Sequence, residues 1–265
     1  MYSVNYHRAK SVSEAAKLAG EGDAKYLSGG MTLIPAMKTR LAAPSDLIDL
    51  THIDGLSGIT VSGKSVTIAA ATTHFDVSKS DALRAVCPAM TDLASHIGDP
   101  HVRHRGTIGG SVANNDPAAD YPAALVAMDA TVVTDRREIA AADFFTGLFE
   151  TALEDGEMIT AVKFTAPEQA GYEKFRNPAS RYAMVGVFVA KSGGGVKVAV
   201  TGAGDSGVFR SSEIESALSN SFSPSALDGV TVPSDSLMGD MHASPEYRAN
   251  LVVVMAKRAV AKAVA

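Results

Sequence analysis

The sequence predicts a globular fold that mixes helices and strands, on three observations. Two glycine pairs, in Ser28-Gly29-Gly30-Met31-Thr32 and Thr107-Ile108-Gly109-Gly110-Ser111, each stand beside a hydroxyl residue and open into an apolar segment. Residues 59–71 alternate around Gly63-Lys64, with Ile59 and Val61 before it and Val66 and Ile68 after it, the pattern of a β-hairpin. Leu83, Val86, Met90, Leu93 and Ile97 recur at spacings of three and four, a helical stripe broken near Pro88.

Composition narrows the classes. A chain of 265 residues, 46% hydrophobic and 20% charged, can bury a sizeable core and is longer than one average domain. The formal charge is −5, and the 24 Lys and Arg are scattered, so a nucleic-acid partner is not expected. No run of about 18 apolar residues marks a transmembrane segment, and the N-terminus lacks the pattern of a signal peptide. Cys87 is the only cysteine, which excludes an intramolecular disulfide and a self-contained four-cysteine cluster. A cytoplasmic location is the expectation.

Residues 11–20 read as a helix capped by Ser13 and ended by Gly20. Lys25-Tyr26-Leu27 reads as a strand entering the first glycine loop. Leu33, Ile34, Met37 and Leu41 then fall at helical spacing, with Pro35 in the first turn, where its missing N–H costs nothing, and Pro44 as the stop. Strand, glycine loop and helix start come in the order that anion binding needs, because glycine brings bare N–H groups close to a ligand and a helix start adds positive potential. Taken singly, either pair also reads as a tight turn. Residues 47–50 form the next strand. Cys87, beside the 82–97 stripe, reads as a small core residue.

Residues 97–106 read as a polar loop leading into the second glycine stretch. His101 and His104 have no carboxylate at ligand spacing, so no metal site is expected there. Arg103 and Arg105 read as partners of acids or of bound phosphates. Asp116-Pro117-Ala118-Ala119-Asp120 opens a further helix running through Leu125 and Met128, with Asp116 the better cap and Asp120 the better ligand group. Strands follow at 130–134 and 157–164. Pro167 to Gly171 reads as a linker, dividing the chain into 1–166 and 167–265. Beyond it, strands at 183–190 and 195–201 flank Gly193-Gly194-Gly195. A helix follows with Ser212 and Glu215 as a capping box, and a final helix starts at Ser244-Pro245 with Leu251, Val252, Met255 and Ala259 on one side.

Residues 25–38, around the first glycine pair, resemble the first FAD loop of the molybdenum hydroxylase flavoprotein subunits. Arg105 to Ser111, followed by Asp116 to Asp120, resembles their second. Those are the medium subunits of carbon monoxide dehydrogenase and of bacterial xanthine dehydrogenase-type enzymes. Tyr172 to Phe175, Arg181 to Ala183, and the C-terminal helix from Ala243 onward are similar to further regions, so the likeness spans nearly the whole chain. It implies an α+β architecture: a vanillyl-alcohol-oxidase-like (PCMH-type) FAD-binding domain of two subdomains, about 1–55 and 56–166. A C-terminal α+β domain at 167–265, a three-stranded sheet with helices, completes it. It implies FAD held at its diphosphate by main-chain N–H groups of both loops, lined by Ser28, Gly29, Gly30, Met31, Thr32, Leu33, Thr107, Ile108, Gly109, Gly110 and Ser111. Asp120, Ile159 and Lys174 match further FAD-contacting positions, and Tyr182 matches an aromatic residue near the isoalloxazine. Lys174 also reads as an exposed strand cation, and Tyr182 as a core aromatic. Ser28 stands where Ala is usual, and Met31-Thr32 replaces Gln-Ser or Thr-Asp.

No nucleophile–base pair, metal cluster or paired carboxylate stands in a motif that would do chemistry unaided, so the hard chemistry falls to the flavin. The resemblance implies an electron-transfer subunit that receives electrons from a [2Fe–2S] small subunit. It also implies a molybdopterin-binding large subunit that oxidises the substrate, assembled as a dimer of heterotrimers. The main rival is a self-sufficient FAD oxidoreductase of the same fold, for which His52, His74, His96 and His104 are available as flavin tethers, though none sits in a linkage motif. A nucleotide-binding scaffold that has lost its flavin is the other alternative.

Overall fold

The computed structural model describes residues 1–20 and 22–265. Its first layer is a small parallel sheet with helical crossovers: β1 (Asn5–Arg8), α1 (Val12–Ala19), β2 (Ala24–Leu27), α2 (Leu33–Lys38) and β3 (Asp46–Asp49). The strand order is β1-β3-β2, so β3 is central, and its Leu47, Ile48 and Asp49 are buried. Ser11, rather than Ser13, caps α1, its hydroxyl accepting from the N–H of Glu14. α2 ends at Lys38, well before Pro44, because the chain turns through Arg40 in the left-handed region and leaves Leu41 exposed.

The second sheet is antiparallel, in the order β4-β5-β10-β6-β7. It comprises β4 (Ile59–Ser62), β5 (Ser65–Ala69), β6 (Thr131–Thr134), β7 (Glu138–Ala140) and β10 (Ile159–Thr165). Between β5 and β6 run six short helices: α3 (His74–Lys79), α4 (Asp81–Val86), α5 (Pro88–Ser95), α6 (Pro100–Arg105), α7 (Ile108–Asn114) and α8 (Tyr121–Ala127). α9 (Ala141–Phe144) and a two-stranded ribbon, β8 (Phe145–Gly147) and β9 (Glu150–Thr151), precede β10. The break at Pro88 divides α4 from α5, and Cys87 is buried between them.

The polar stretch expected as a loop at 97–106 is largely α6. Asp99 caps it and Pro100 takes its first position, a helix-start signal that the charged composition obscured. The helix expected from Asp116 starts only at Tyr121. Asp116 instead closes a tight turn, accepting from the N–H of Ala118.

The third sheet is antiparallel too, with three long strands, β11 (Gln169–Arg176), β12 (Ala183–Ser192) and β13 (Gly195–Thr201), and a two-residue edge strand, β14 (Phe209–Arg210). Gln169, Ala170 and Gly171 belong to β11 rather than to a linker, and Gly171 is needed there. A Cβ on it would lie 1.9 Å from the carbonyl oxygen of Ala259 on α11 (Pro245–Val264), which packs directly across the sheet. Leu251, Val252, Met255 and Ala259 form the buried side of α11, capped by Ser244. The Ser212–Glu215 capping box does not form. α10 (Ser212–Asn220) starts after Ser211, and Glu215 turns away to bond the guanidinium of Arg210 and the N–H of Val198. Apolar side chains of the first two sheets and their helices make one core, to which Tyr172, Phe188, Ala190 and Ala199 of the third sheet contribute, and β12, β13, α10 and α11 enclose another.

Candidate functional site

The first glycine loop leaves β2 and enters α2. Gly30 has φ +70°, in the left-handed region where a side chain is strained. Within the described residues, the N–H groups of Gly29, Gly30, Met31 and Thr32 make no hydrogen bond. Thr32 occupies the cap position of α2 with its hydroxyl free of any capping bond. Four successive donors without internal partners form a nest for an anion. α2 has only six residues, so these amides, rather than a long helix dipole, supply the positive potential.

The second loop is held by the chain itself. Residues 70–74, leaving β5, run antiparallel to residues 106–109. The N–H of Gly109 donates to Ala70 O (2.8 Å), that of Ile108 to Thr72 O (3.0 Å), and that of His74 to Gly106 O (2.9 Å). Thr107 caps α7, its hydroxyl accepting from the N–H of Gly110 (3.1 Å). The amides of 108–110 are therefore engaged, which departs from the expectation that both loops offer bare N–H groups alike. Gly109 is needed for closeness: a Cβ there would lie 2.6 Å from that of Ala70.

The two loops meet. The hydroxyls of Ser28 and Thr107 are 3.0 Å apart, and a Cβ on Gly29 would lie 2.0 Å from the carbonyl oxygen of Arg105. They face a cleft of about 650 Å³, a volume suited to a small-molecule site. Ser28, Gly29, Gly30, Met31, Thr32, Leu33, Thr107, Gly109, Gly110, Ser111, Asp120, Ile159 and Tyr182 all line it. Ile108 does not: its side chain is fully buried in the core.

Lys174 does not line it either, nor is it an exposed cation. It is buried behind Asp120, with Nζ 2.8 Å from Oδ1, and the Tyr172 hydroxyl donates to the same oxygen at 2.5 Å. Burial, followed by the Asp120 charge, raises the Tyr172 pKa well above its ordinary value, so the phenol stays a donor. Asp120 thus reaches the cleft from a buried network; it holds the N-cap position of α8, but its side chain makes no capping bond.

Tyr182 is more than half exposed at the rim, not a core aromatic. The turn before it is pinned by Asn177, whose side chain accepts from the N–H groups of Ala179 and Ser180. Arg103 and Arg105 lie outside the lining, and Arg103 donates to the carbonyls of Ile97 and Gly98.

The sequence left some of the lining unread. Tyr26, His74, Asn114 and the segment Leu153–Met158 also face the cleft. His74 gets there through the antiparallel pairing of 70–74 with the second loop, which no local motif announces. Burial, with the Arg103 charge adding to it, lowers its pKa to about 4, so the ring is neutral near pH 7. Among the described residues, no group of three or more His, Cys, Asp or Glu could hold a metal, and no helix is long and apolar enough to cross a membrane.

A cleft lined by four amides unpartnered within the described residues and by an aromatic ring at its rim suits a ligand that combines an anionic group with a flat ring. Residues 2–167 match the family described as the FAD binding domain in molybdopterin dehydrogenase. The chain is 34% identical to the carbon monoxide dehydrogenase medium chain of Afipia carboxidovorans, over 98% of this chain and 96% of that one. It is 33% identical to the nicotine 6-hydroxylase medium subunit of Paenarthrobacter nicotinovorans, over 98% and 97%. The crystal structure of a Cu,Mo-CO dehydrogenase in its cyanide-inactivated form contains a chain that superposes with a TM-score of 0.87, at 35% identity and covering 99% of this chain and 98% of that one. The chain belongs to the FAD-binding family of the molybdopterin dehydrogenases. It is a flavoprotein oxidoreductase subunit, and its cofactor is FAD.

Proposed function

We propose that this chain takes electrons from an iron–sulfur subunit and passes them to an external acceptor, within a complex whose large, molybdopterin-binding subunit oxidises the substrate. A small [2Fe–2S] subunit, assembly as a dimer of heterotrimers and a cytoplasmic location complete the reading. The observation that carries it is the meeting of the two glycine loops at one cleft. When bound, the flavin supplies the exchange between one-electron and two-electron chemistry.

The protein's own residues bind and orient. The N–H groups of Gly29 to Thr32 donate to the diphosphate, and Ser28, Thr107 and Ser111 add hydroxyls. Gly109 lets the second loop close against Ala70 and Gly110 leaves room for the ligand, while Ile159 and Leu33 cover apolar parts of it. Asp120, fixed by Lys174 and Tyr172, presents a carboxylate to the cleft. Tyr182 stands at the rim, where a ring can shield one face of the isoalloxazine. Ile108 and Lys174 act from behind the wall, through packing and through Asp120.

Reconstitution tests the function. The purified chain is expected to bind FAD and to be reduced by a chemical reductant, yet to oxidise no substrate until the iron–sulfur and molybdenum subunits are added. Substrate oxidation by the FAD-loaded chain alone would refute it.

A further inference from the structure

We propose that His74 is a cofactor-binding residue whose neutral imidazole donates from Nε2–H to the FAD diphosphate, an inference that rests on the loops holding that group. The hydroxyl of Tyr121, which is fully buried, lies 3.2 Å from His74 Nδ1, and within the described residues no other hydrogen bond reaches it. A buried phenol with no acceptor would lose its hydrogen bond outright, so Tyr121 donates and Nδ1 accepts. Burial raises the Tyr121 pKa well above its ordinary value, with the Asp120 charge adding to it, so the donor proton is retained. The single ring proton of a neutral imidazole whose Nδ1 accepts is on Nε2.

That nitrogen is available. Nε2 makes no hydrogen bond within the described residues, and it is not among the buried polar atoms left without a partner, while His74 lines the cleft. The ring is also placed at the right end. His74 N–H is bonded to Gly106 O, and a Cβ on Gly106 would come within 2.6 Å of Nε2, so this glycine is what lets the imidazole lie against the start of the second loop. α7 then separates Thr107 from Asn115 by about 12 Å at 1.5 Å per residue. Tyr182, whose pKa is raised by burial and then by the Asp116 charge, belongs with Asp116 beyond the far end of that helix. His74 therefore sits at the diphosphate end of the cleft, away from the position a covalent flavin tether would need. A neutral donor costs less to bury than a cation.

Two measurements on the full chain test this. In the FAD-loaded, histidine-labelled protein, long-range nitrogen–proton correlation spectra are expected to show His74 in the Nε2–H tautomer; the Nδ1–H form would overturn the proposal. For the deflavinated chain, His74→Leu is expected to weaken FAD binding roughly 10- to 150-fold, the worth of one lost hydrogen bond to a charged group. His74→Gln, whose amide nitrogen reaches the place of Nε2, is expected to retain most of the affinity. Leu and Gln variants that fold and bind FAD alike would overturn the proposal, and the tautomer decides it should the Leu variant not fold. Gly30→Ala separates the two layers of inference. If it weakens binding while His74→Leu does not, His74 has no such role and the loops keep theirs. If neither variant changes FAD affinity, the loops themselves are misread.

Discussion

Replacing Gly29 by Ala tests whether the contact between the two loops makes the site. Gly29 has no positive φ, so the strain is one of space alone. An added Cβ would lie 2.0 Å from the carbonyl oxygen of Arg105, 2.7 Å from its carbon and 2.8 Å from Gly106 Cα. These are main-chain atoms, held by Gly106 N–H to Val102 O and by His74 N–H to Gly106 O, so no side chain can rotate out of the way. Reaching ordinary contact at 3.4 Å requires the loops to part by about 1.4 Å. That movement takes the Ser28–Thr107 hydroxyl pair, now at 3.0 Å, beyond hydrogen-bond distance. Forcing one methyl group into a packed contact costs about 1–3 kcal/mol, and the lost hydrogen bond about 0.5–1.5 kcal/mol. If about 1–3 kcal/mol of this falls on the bound state, FAD affinity drops roughly 5- to 150-fold. Titration of the deflavinated chain with FAD, followed by flavin fluorescence, measures it. Thermal unfolding of the same samples reports whether the variant is folded. Gly193→Ala, where a Cβ meets nothing within 4 Å, is the control expected to leave both readings unchanged. A folded Gly29→Ala chain that binds FAD within twofold of the wild type would refute the view that loop contact builds the site.

Two further predictions concern the buried charges. Lys174→Met leaves Asp120 buried without its cation, and breaking such a pair costs about 3–5 kcal/mol; adding Asp120→Asn is expected to restore much of the loss. Urea unfolding of both variants checks it, and a Lys174→Met chain as stable as the wild type would contradict it. Glu157 is held at a pKa of about 2, first by hydrogen bonds from Arg137 and then by the N–H of Glu154 and the hydroxyl of Thr134, against the opposing effect of burial. The unfolded chain takes up this proton near pH 4.5 and the folded chain only near 2, so the stabilisation is complete above about pH 4.5 and is lost on acidification through that window. Glu157→Gln is expected to be less stable at neutral pH and to show a flatter stability curve between pH 4.5 and 2; an unaltered slope would rule the group out.

The site was legible where chemistry is local. The glycine pairs, the hydroxyls beside them and Pro35 in the first turn of α2 all announce themselves within a few residues. Asp120 and Tyr182 were located through family likeness, and the cleft includes both. What escaped depends on pairing across the chain. Nothing near Gly109 says that its N–H belongs to Ala70, and nothing near His74 says that it lies against Gly106. Lys174 is charged and sits on a strand, so only the fold reveals it as buried against an acid brought from far along the chain. The misread element boundaries have a similar origin. Asp99-Pro100 is a sound helix start hidden in a polar stretch, whereas Glu215 abandons its capping position because Arg210 and the edge of β13 offer it better partners.

The charge of the cleft explains why such a site is built from glycine. Asp116, Asp120, Glu154, Asp155 and Glu157 line it, with Lys25 the only Lys or Arg among the lining residues. Three of those acids are matched by cations from outside the lining, Asp120 by Lys174, Glu157 by Arg137 and Glu154 by Arg136 and Arg137. A diphosphate entering this wall meets few positive charges, so its attraction must come from groups that carry partial charge at very short range. Main-chain N–H groups do this best where no Cβ crowds the approach and where the chain has not already used them; within the described residues the N–H groups of Gly29 to Thr32 are unused, and Gly29 and Gly30 also lack a Cβ. In the second loop the amides of 108–110 are committed to residues 70–72 and to the Thr107 hydroxyl, which fixes the wall against which the first loop closes. On the proposed reading the loops are therefore not duplicates: one supplies the donors, and the other supplies the rigid surface that holds those donors in place.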